Sequence, residues 1–219
     1  MPYQKIKMIN DVAIPGLLGL VLAGGKSARM KQDKSLLNYH GKSQVEHCFE
    51  LLSMHCRQVY LSNRKEQSLL KQHRKYPQIQ DHYTDIGPLG GIVSAMTQKP
   101  KSAWLVLACD LPFIDHLALK NLIVNRAAKK YATVYLSSHY PGEPEPLCAI
   151  YEPKLIPYLI RNLQKGIYCP KKILMDLDIV KLKQPHANTL DNINSADDYK
   201  KAIHWLNSKQ DAGKVKTRA

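Results

Sequence analysis

The chain has 219 residues, of which 44% are hydrophobic, and this favours one globular domain with a sizeable core over a disordered segment. A formal net charge of +14 favours an anionic partner, but the lysines are spread along the chain without a zinc-finger, RRM or basic-helix pattern, so nucleic acid is not the predicted partner. The five cysteines are scattered without a C-x-x-C pair and therefore predict neither a disulfide framework nor a zinc site.

Residues 1–16 are polar and end in Pro15-Gly16, and we predict that they form a loosely held extension. This segment lacks the apolar stretch and cleavage site of a secretion signal, and no apolar run in the chain reaches membrane-spanning length. These features predict a cytoplasmic protein with no membrane contact. The rest of the predicted organisation is a single domain over residues 17–208 and a flexible basic tail over residues 209–219.

The first predicted strand leads into a loop suited to phosphate. The apolar run Leu17–Leu22 predicts a buried strand, which is followed by the pair Gly24-Gly25. A strand that runs into a glycine turn with free N–H donors and cations is typical of a phosphate-binding loop. The alternative is an ordinary turn between a strand and a helix, with solvated lysines. The cations that follow in the predicted loop are Lys26, Arg29 and Lys34.

The next predicted helix and strand place an asparagine at the same edge of the sheet. Ser43 with Glu46 has the capping-box pattern and predicts the start of a helix. A strand over residues 58–62 then precedes Asn63, at a position where open α/β sheets bind ligands. We predict that Asn63 contacts a base or ribose, with a turn asparagine as the alternative. The charged stretch from 66 to 75 predicts a surface helix.

A glycine-rich run then opens another helix. Gly87–Gly91 permits close approach of the backbone to a ligand, and the helix that it opens reaches about residue 98. The N-terminus of this helix adds donors for an anion. Asp81 and Asp85 lie in the loop before it, and their alternative role is that of solvated loop carboxylates.

The cleanest buried strand of the chain, over residues 103–108, is followed by Asp110. A carboxylate at the tip of a central strand is well placed to hold a divalent ion between phosphates. Mg²⁺ takes one or two carboxylates together with phosphate oxygens, so a single aspartate is enough. The alternative role, capping of the next helix, is better filled by Asp115.

The remaining elements complete an alternating pattern of strands and helices. We predict helices over 115–130 and 153–163, strands over 132–136, 147–151 and 177–182, and a terminal helix that starts at a Ser195/Asp198 capping box and ends near Asn207. This alternation predicts a three-layer α/β fold with a mostly parallel, Rossmann-like sheet. Its ligand loops lie at the carboxyl edge of the strands. The first of these helices is predicted to bury Leu117, Leu119, Leu122, Ile123 and Ala127.

Four motifs, in order along the chain, resemble those of the molybdenum cofactor guanylyltransferase (MobA) family of nucleotidyltransferases. The stretch Leu22–Lys34 resembles L-A-G-G-x-S-x-R-M-x-x-D-K, and Gly87–Gly91 resembles G-P-L-x-G. Cys109–Pro112 resembles C-D-x-P, and Asn192–Asn194 resembles the N-x-N of a longer family motif. The co-occurrence of these motifs is more specific than any one of them.

The resemblance implies the nucleotide-diphospho-sugar transferase type of fold and transfer of GMP from GTP to molybdopterin or its molybdenum form, with release of pyrophosphate. It implies Mg²⁺ as cofactor, and it leaves open proteins of molybdenum-cofactor biosynthesis or acceptor proteins as further partners. In the family an aspartate several residues before G-P-L-x-G contacts the guanine nucleotide, and Asp81 fits that position better than Asp85. The implied catalytic residues are Arg29, Lys34 and Asp110, the last also the metal ligand. The implied nucleotide-binding residues are Leu22, Ala23, Gly24, Gly25, Lys34, Asn63, Asp81 and Asp110, and the implied acceptor-binding residues are Asn192 and Asn194.

Three departures from the family pattern leave other functions open. Lys31 stands where the family usually has glycine, Glu145 replaces a histidine or glutamine, and lysines at 171 and 172 replace arginines. Lysine lacks the bidentate fork of arginine, so it fixes phosphate geometry less tightly. The alternatives are a related cytidylyltransferase or sugar-phosphate nucleotidyltransferase, and a nucleotide-binding homologue without activity.

Overall fold

A computed structural model describes residues 16–24 and 33–216, with side chains as far as residue 208. Within these residues the chain forms seven strands, six α-helices and several short 3-10 helices. The strands are β1 (Leu17–Leu22), β2 (Val59–Asn63), β3 (Gln78–Gln80), β4 (Ala103–Ala108), β5 (Ala132–Leu136), β6 (Pro144–Tyr151) and β7 (Val180–Leu182). The helices are α1 (Gln44–Ser53), α2 (Pro88–Gln98), α3 (His116–Val124), α4 (Ile156–Gln164), α5 (Pro170–Met175) and α6 (Ala196–Lys216).

The seven strands form one sheet in the order β3-β2-β1-β4-β6-β5-β7. β6 runs antiparallel to both of its neighbours, and all other pairs are parallel. The chain moves outward from β1 to β3 by way of α1 and returns across the sheet to β4 through α2. Right-handed crossovers in opposite directions place α1 and α2 on opposite faces of the sheet. The predicted three-layer, mostly parallel α/β fold is therefore confirmed.

The core lies on both faces of the central strands. Every residue of β4 is buried, and the Trp104 side chain is fully enclosed. Such a continuous apolar run is expected of a strand covered by helices on both faces. A smaller apolar cluster packs beside this core, and it joins the segment after Lys34 to the C-terminal part of the chain. Its buried members are Leu37, Tyr39, Ile193, Ala202 and Leu206.

The predicted helix over residues 66–75 is wrong. The structure has two separate 3-10 helices there, Gln67–Leu69 and His73–Lys75. The side chains of Gln67 and His73 are buried and hydrogen-bonded to residues distant in the chain. These tertiary bonds stabilise a compact turn in place of a regular surface helix, which a charge pattern alone does not reveal.

The ends of two other helices also differ from the prediction. Ser43 occupies the N-cap position of α1, but its side chain makes no capping bond. The N–H of Gln44, the first residue of the helix, donates to the Leu37 carbonyl (2.8 Å). The helix α3 was predicted to reach residue 130 but ends at Val124. At this end the Asn125 side chain donates to the Asn121 carbonyl (2.8 Å). Leu117 was predicted to be buried, but it is exposed.

The C-terminal region confirms one capping prediction and corrects another boundary. The Ser195 hydroxyl accepts from the Asp198 N–H (3.1 Å), and the Asp198 carboxylate accepts from the Ser195 N–H (3.0 Å), which is the predicted capping box. The helix that it opens continues to Lys216, beyond the predicted end near Asn207. No helix in the described part of the chain is long and apolar enough to span a membrane.

Candidate active site

A cleft of about 620 Å³ opens at the carboxyl edge of β1, β2 and β4. Three backbone hydrogen bonds join the residues that follow β1, β4 and β3 to the neighbouring strand ends. The Ala23 N–H donates to the Ser62 carbonyl (2.9 Å), the Cys109 N–H to the Leu22 carbonyl (3.2 Å) and the Asp81 N–H to the Asn63 carbonyl (3.1 Å). The cleft therefore lies where an open α/β sheet binds its ligand. The residues predicted from the sequence that line it are Leu22, Ala23, Gly24, Lys34, Asp81, Asp110 and Asn194.

Three of these side chains meet from distant parts of the chain. The Lys34 ammonium donates to Asn194 Oδ1 (2.6 Å) and lies 3.7 Å from Asp110 Oδ2. The smaller apolar cluster supports this meeting, because Ile193 is buried in it and the Tyr199 hydroxyl donates to the Asn38 carbonyl (2.9 Å). Lys34, Asp110 and Asn194 thus form one polar cluster on the floor of the cleft, which we call the charged triad.

The loop that carries Asp110 is held by backbone contacts on both sides. The Ile193 N–H donates to the Asp110 carbonyl (2.9 Å), and the Gln44 amide donates to the Leu111 carbonyl (3.4 Å). His40 Nε2 donates to the Pro112 carbonyl (3.0 Å). Burial lowers the pKa of His40, which therefore acts as a neutral donor. Contacts from Ile193, His40 and Gln44 consequently hold the loop that carries the carboxylate, and no sequence motif indicated this role for His40 or Gln44.

The Asp110 carboxylate is suited to a cation. Burial raises its pKa, and the Lys34 ammonium opposes this effect. Asp110 Oδ1 is buried and has no hydrogen-bond partner among the described residues. No group of three His, Cys, Asp or Glu side chains in the described ranges is arranged to hold a metal by itself. One carboxylate with free acceptor capacity is the kind of ligand set that Mg²⁺ completes with phosphate oxygens.

Asp81 also lines the cleft, close to two glycines. The Ser62 hydroxyl donates to Asp81 Oδ1 (2.6 Å). A Cβ on Gly24 would lie 2.8 Å from Asp81 Oδ2, and a Cβ on Gly91 would lie 2.2 Å from Ser62 Oγ. Both glycines are therefore required for the close approach of this carboxylate to the ends of β1 and α2. Burial raises the pKa of Asp81 to about 6, and its hydrogen bond from Ser62 opposes this shift.

Other predicted site residues have different placements. Asn63, predicted to contact a base or ribose, is fully buried and does not line the cleft; its amide donates to Gln78 Oε1 (2.9 Å) and to His73 Nδ1 (3.3 Å). Asn192 is exposed and does not line the cleft, whereas Asp85 does. Gly25 and Arg29, like Lys26 and Lys31, lie outside the described residues.

Two further placements concern the departures from the family pattern. Lys171 lies at the start of α5 and pairs with Glu143 Oε2 (2.5 Å). Glu145 is in β6, in register with Tyr135 of β5. Leu147, two residues further along β6, lines the cleft. Ser62, which donates to Asp81, belongs to no motif, and its only signal in the sequence is its position at the end of a predicted strand.

The cleft thus brings a lysine, a buried carboxylate and two closely packed glycines to the carboxyl edge of a mostly parallel sheet, where open α/β folds bind their ligands. The chain belongs to the MobA-like NTP transferase family, whose model matches residues 19–180. The protein is accordingly an enzyme of the nucleotidyltransferase class.

Similar proteins extend this assignment along the chain. A Synechocystis protein named "Molybdenum cofactor biosynthesis bifunctional protein" is 36% identical over 86% of this chain and 54% of its own length, so the chain spans about half of that relative. A Flavobacterium johnsoniae protein named "Probable molybdenum cofactor guanylyltransferase" is 31% identical over 83% of this chain and 94% of its own. The structure of molybdopterin-guanine dinucleotide biosynthesis protein A from Archaeoglobus fulgidus has a TM-score of 0.72 and 25% identity, covering 87% of this chain and 99% of that one.

Proposed function

We propose that the protein transfers GMP from GTP to molybdopterin or its molybdenum form, producing a guanine dinucleotide cofactor and pyrophosphate. The observation that carries this proposal is the charged triad, in which the lysine after the phosphate loop, the predicted metal carboxylate and a predicted acceptor asparagine meet in one cleft. The names of the Flavobacterium and Archaeoglobus relatives support the choice of substrates. A cytoplasmic location and contacts with acceptor proteins stay predictions.

The reaction is an in-line displacement at phosphorus. A phosphate oxygen of the acceptor forms a bond to the α-phosphorus of GTP, and the bond from that phosphorus to the bridging oxygen of pyrophosphate breaks. Such a reaction requires positioning and charge neutralisation more than covalent catalysis. Lys34 places a cation where negative charge collects on the triphosphate, and we propose that Arg29 does the same from the preceding loop.

Asp110 would hold Mg²⁺, because its Oδ1 atom is buried without a protein partner among the residues described. When bound, the ion would neutralise charge on the phosphates and on the leaving pyrophosphate. Lys34 and the backbone contacts of the Asp110 loop keep the carboxylate oriented toward the cleft. Asn194, held by Lys34, lies on the side that we assign to the acceptor.

We further propose that Asp81 selects guanine, because an ionised carboxylate accepts from both the N1–H and the N2–H₂ donors of that base. The pKa of Asp81 is about 6, so the accepting form is lost as the pH falls through that value. We expect Mg²⁺-dependent affinity for GTP to rise as the pH increases from 5 to 7, with GTP bound more tightly than CTP. Calorimetric titration with each nucleotide across this pH range measures both effects.

The variant Asp81→Asn provides the matched test of this assignment. It is expected to weaken GTP binding at pH 7 by about 10- to 100-fold, since it removes a charged hydrogen-bond acceptor. Asp85→Asn removes a carboxylate from the same loop and is expected to leave the affinity nearly unchanged. Equal losses in the two variants would contradict the role of Asp81. A wild-type preference for CTP with no response to GTP would also contradict it and would favour a cytidylyltransferase.

The proposed reaction is tested by release of pyrophosphate in the presence of Mg²⁺. We expect release only when GTP and molybdopterin are both supplied. Release with a sugar phosphate as acceptor would instead indicate a sugar-phosphate nucleotidyltransferase. If GTP binds but no acceptor supports release, the protein is a nucleotide-binding homologue without activity.

A further inference from the structure

A chain of hydrogen-bonded polar side chains reaches the 3-10 helix Lys34–Leu36 through Ser35. Asn63, His73 and Ser35 are all buried, and the last of them meets the Asp33 carboxylate. The successive distances are 3.3 Å from Asn63 Nδ2 to His73 Nδ1, 2.9 Å from His73 Nε2 to Ser35 Oγ, and 2.7 Å from Ser35 Oγ to Asp33 Oδ1. We refer to these four residues, together with Gln67, as the buried clamp.

The hydrogen bonds of this chain run in one direction. A carboxylate oxygen only accepts, so the Ser35 hydroxyl donates its single proton to Asp33. His73 Nε2 must then donate to Ser35, and His73 Nδ1 is left to accept from the Asn63 amide. Every polar atom of the imidazole is therefore used, which fixes both the tautomer and the orientation of the ring.

Gln67 links the two ends of the phosphate loop. Its Nε2 atom donates to the Ala23 carbonyl (2.9 Å), which precedes the loop, and to Asp33 Oδ2 (2.7 Å), which follows it. Asp33 also accepts from the Ser35 N–H (3.0 Å) and so caps the turn that presents Lys34. Both oxygens of Asp33 are thus bonded to donors of the protein, and this carboxylate acts as a structural anchor.

We propose that His73 and Gln67 are positioning residues for Lys34, holding Asp33 so that the lysine ammonium reaches the charged triad. The proposal rests on the proposed function, in which Lys34 stabilises the triphosphate of the donor. Neither His73 nor Gln67 lines the cleft, and each is bonded to the segment that carries Lys34, His73 through Ser35 and Gln67 through Asp33. The clamp also accounts for two features of the structure that differ from the sequence predictions: Asn63 is buried, and the 66–75 segment is not a regular helix.

A double-mutant cycle tests this role. We expect His73→Leu to lower kcat for guanylyl transfer by about tenfold or more, because small displacements of a positioned group are costly. In a Lys34→Met background the same substitution is expected to change kcat by less than about twofold, since the residue through which it acts is absent. His73→Gln, which keeps a donor near the position of Nε2, is expected to restore most of the activity.

Two controls separate positioning from general damage. His55→Leu removes a partly buried histidine that is not part of the clamp. This variant is expected to leave kcat unchanged. Thermal unfolding of each variant shows whether it folds. If His73→Leu does not fold, Gln67→Met replaces it in the cycle, because it removes the donor to Asp33 and keeps a side chain of similar length.

The same cycle measured by binding distinguishes failure of this proposal from failure of the proposed function. Calorimetric titration with inorganic triphosphate reports on Lys34 whether or not the wild type transfers GMP. The proposal is supported if His73→Leu weakens triphosphate binding in the wild-type background and does not weaken it in the Lys34→Met background. An equal loss in both backgrounds, in binding and in kcat, or no loss in either, would overturn it. Absence of turnover in the wild type with an intact binding cycle would instead reject guanylyl transfer.

Discussion

Asp110→Asn is expected to lower the rate of guanylyl transfer by about a thousandfold or more while the fold stays intact. The substitution keeps the shape of the side chain but removes the charge that a divalent cation requires. It also leaves Lys34 without the carboxylate that lies 3.7 Å from its ammonium. Steady-state pyrophosphate release, with thermal unfolding as the check on folding, measures the effect.

Asp115→Asn is the matched control for this experiment. The Asp115 side chain accepts from the Ala118 N–H (2.8 Å) and caps α3, which is the structural role that the sequence offers as the alternative for Asp110. Asparagine caps helices about as well as aspartate, so little change in stability or turnover is expected. An unchanged rate for Asp110→Asn, or equal losses in the two variants, would remove Asp110 from the mechanism.

Lys34→Met is expected to reduce kcat by about a hundredfold, with a smaller loss in GTP affinity. Lys34 stands between Asp110 and Asn194, so its ammonium is placed where donor and acceptor phosphates would meet. Charge that develops during the transfer is stabilised more than charge already present in bound GTP, and the effect therefore falls mainly on kcat. Comparing kcat with the calorimetric affinity for GTP separates the two contributions.

Lys42→Met is the corresponding control, because Lys42 pairs with Glu50 on α1 and does not line the cleft. It removes an equal charge from a chain that is already strongly basic, so it tests for a general effect of net charge. We expect its kcat to match the wild type. Similar losses in Lys34→Met and Lys42→Met would show that diffuse charge, and not the charged triad, supports the reaction.

The central fold was predictable because its strands are continuous apolar runs flanked by glycine and polar residues. β5 was predicted with the boundaries that the structure has, and β1 and β4 likewise. The short strand β3 was missed, because three residues with two glutamines carry no strand pattern. The capping box at Ser195 forms, whereas Ser43 occupies the N-cap position of α1 without a side-chain capping bond.

The candidate site was predictable only in part. Motif order indicated Lys34, Asp110 and Asn194, and the structure brings them together. Asn63 lies at the end of a strand, where ligand-binding residues of such sheets are found. Its side chain instead points to His73, and no sequence motif links these two residues. The buried clamp was not predictable for the same reason, because the bonds of His73 to Ser35 and of Gln67 to Ala23 and Asp33 join segments that only the folded chain brings together.

The most direct test of the proposed function follows the fate of each phosphate. GTP labelled at the α-phosphate or at the γ-phosphate is incubated with molybdopterin, Mg²⁺ and the protein. We expect the α-label to appear in a guanine dinucleotide product and the γ-label in pyrophosphate, in equal amounts. Recovery of the α-label only as free GMP, or transfer of an equivalent label from CTP in preference to GTP, would contradict guanylyl transfer to molybdopterin.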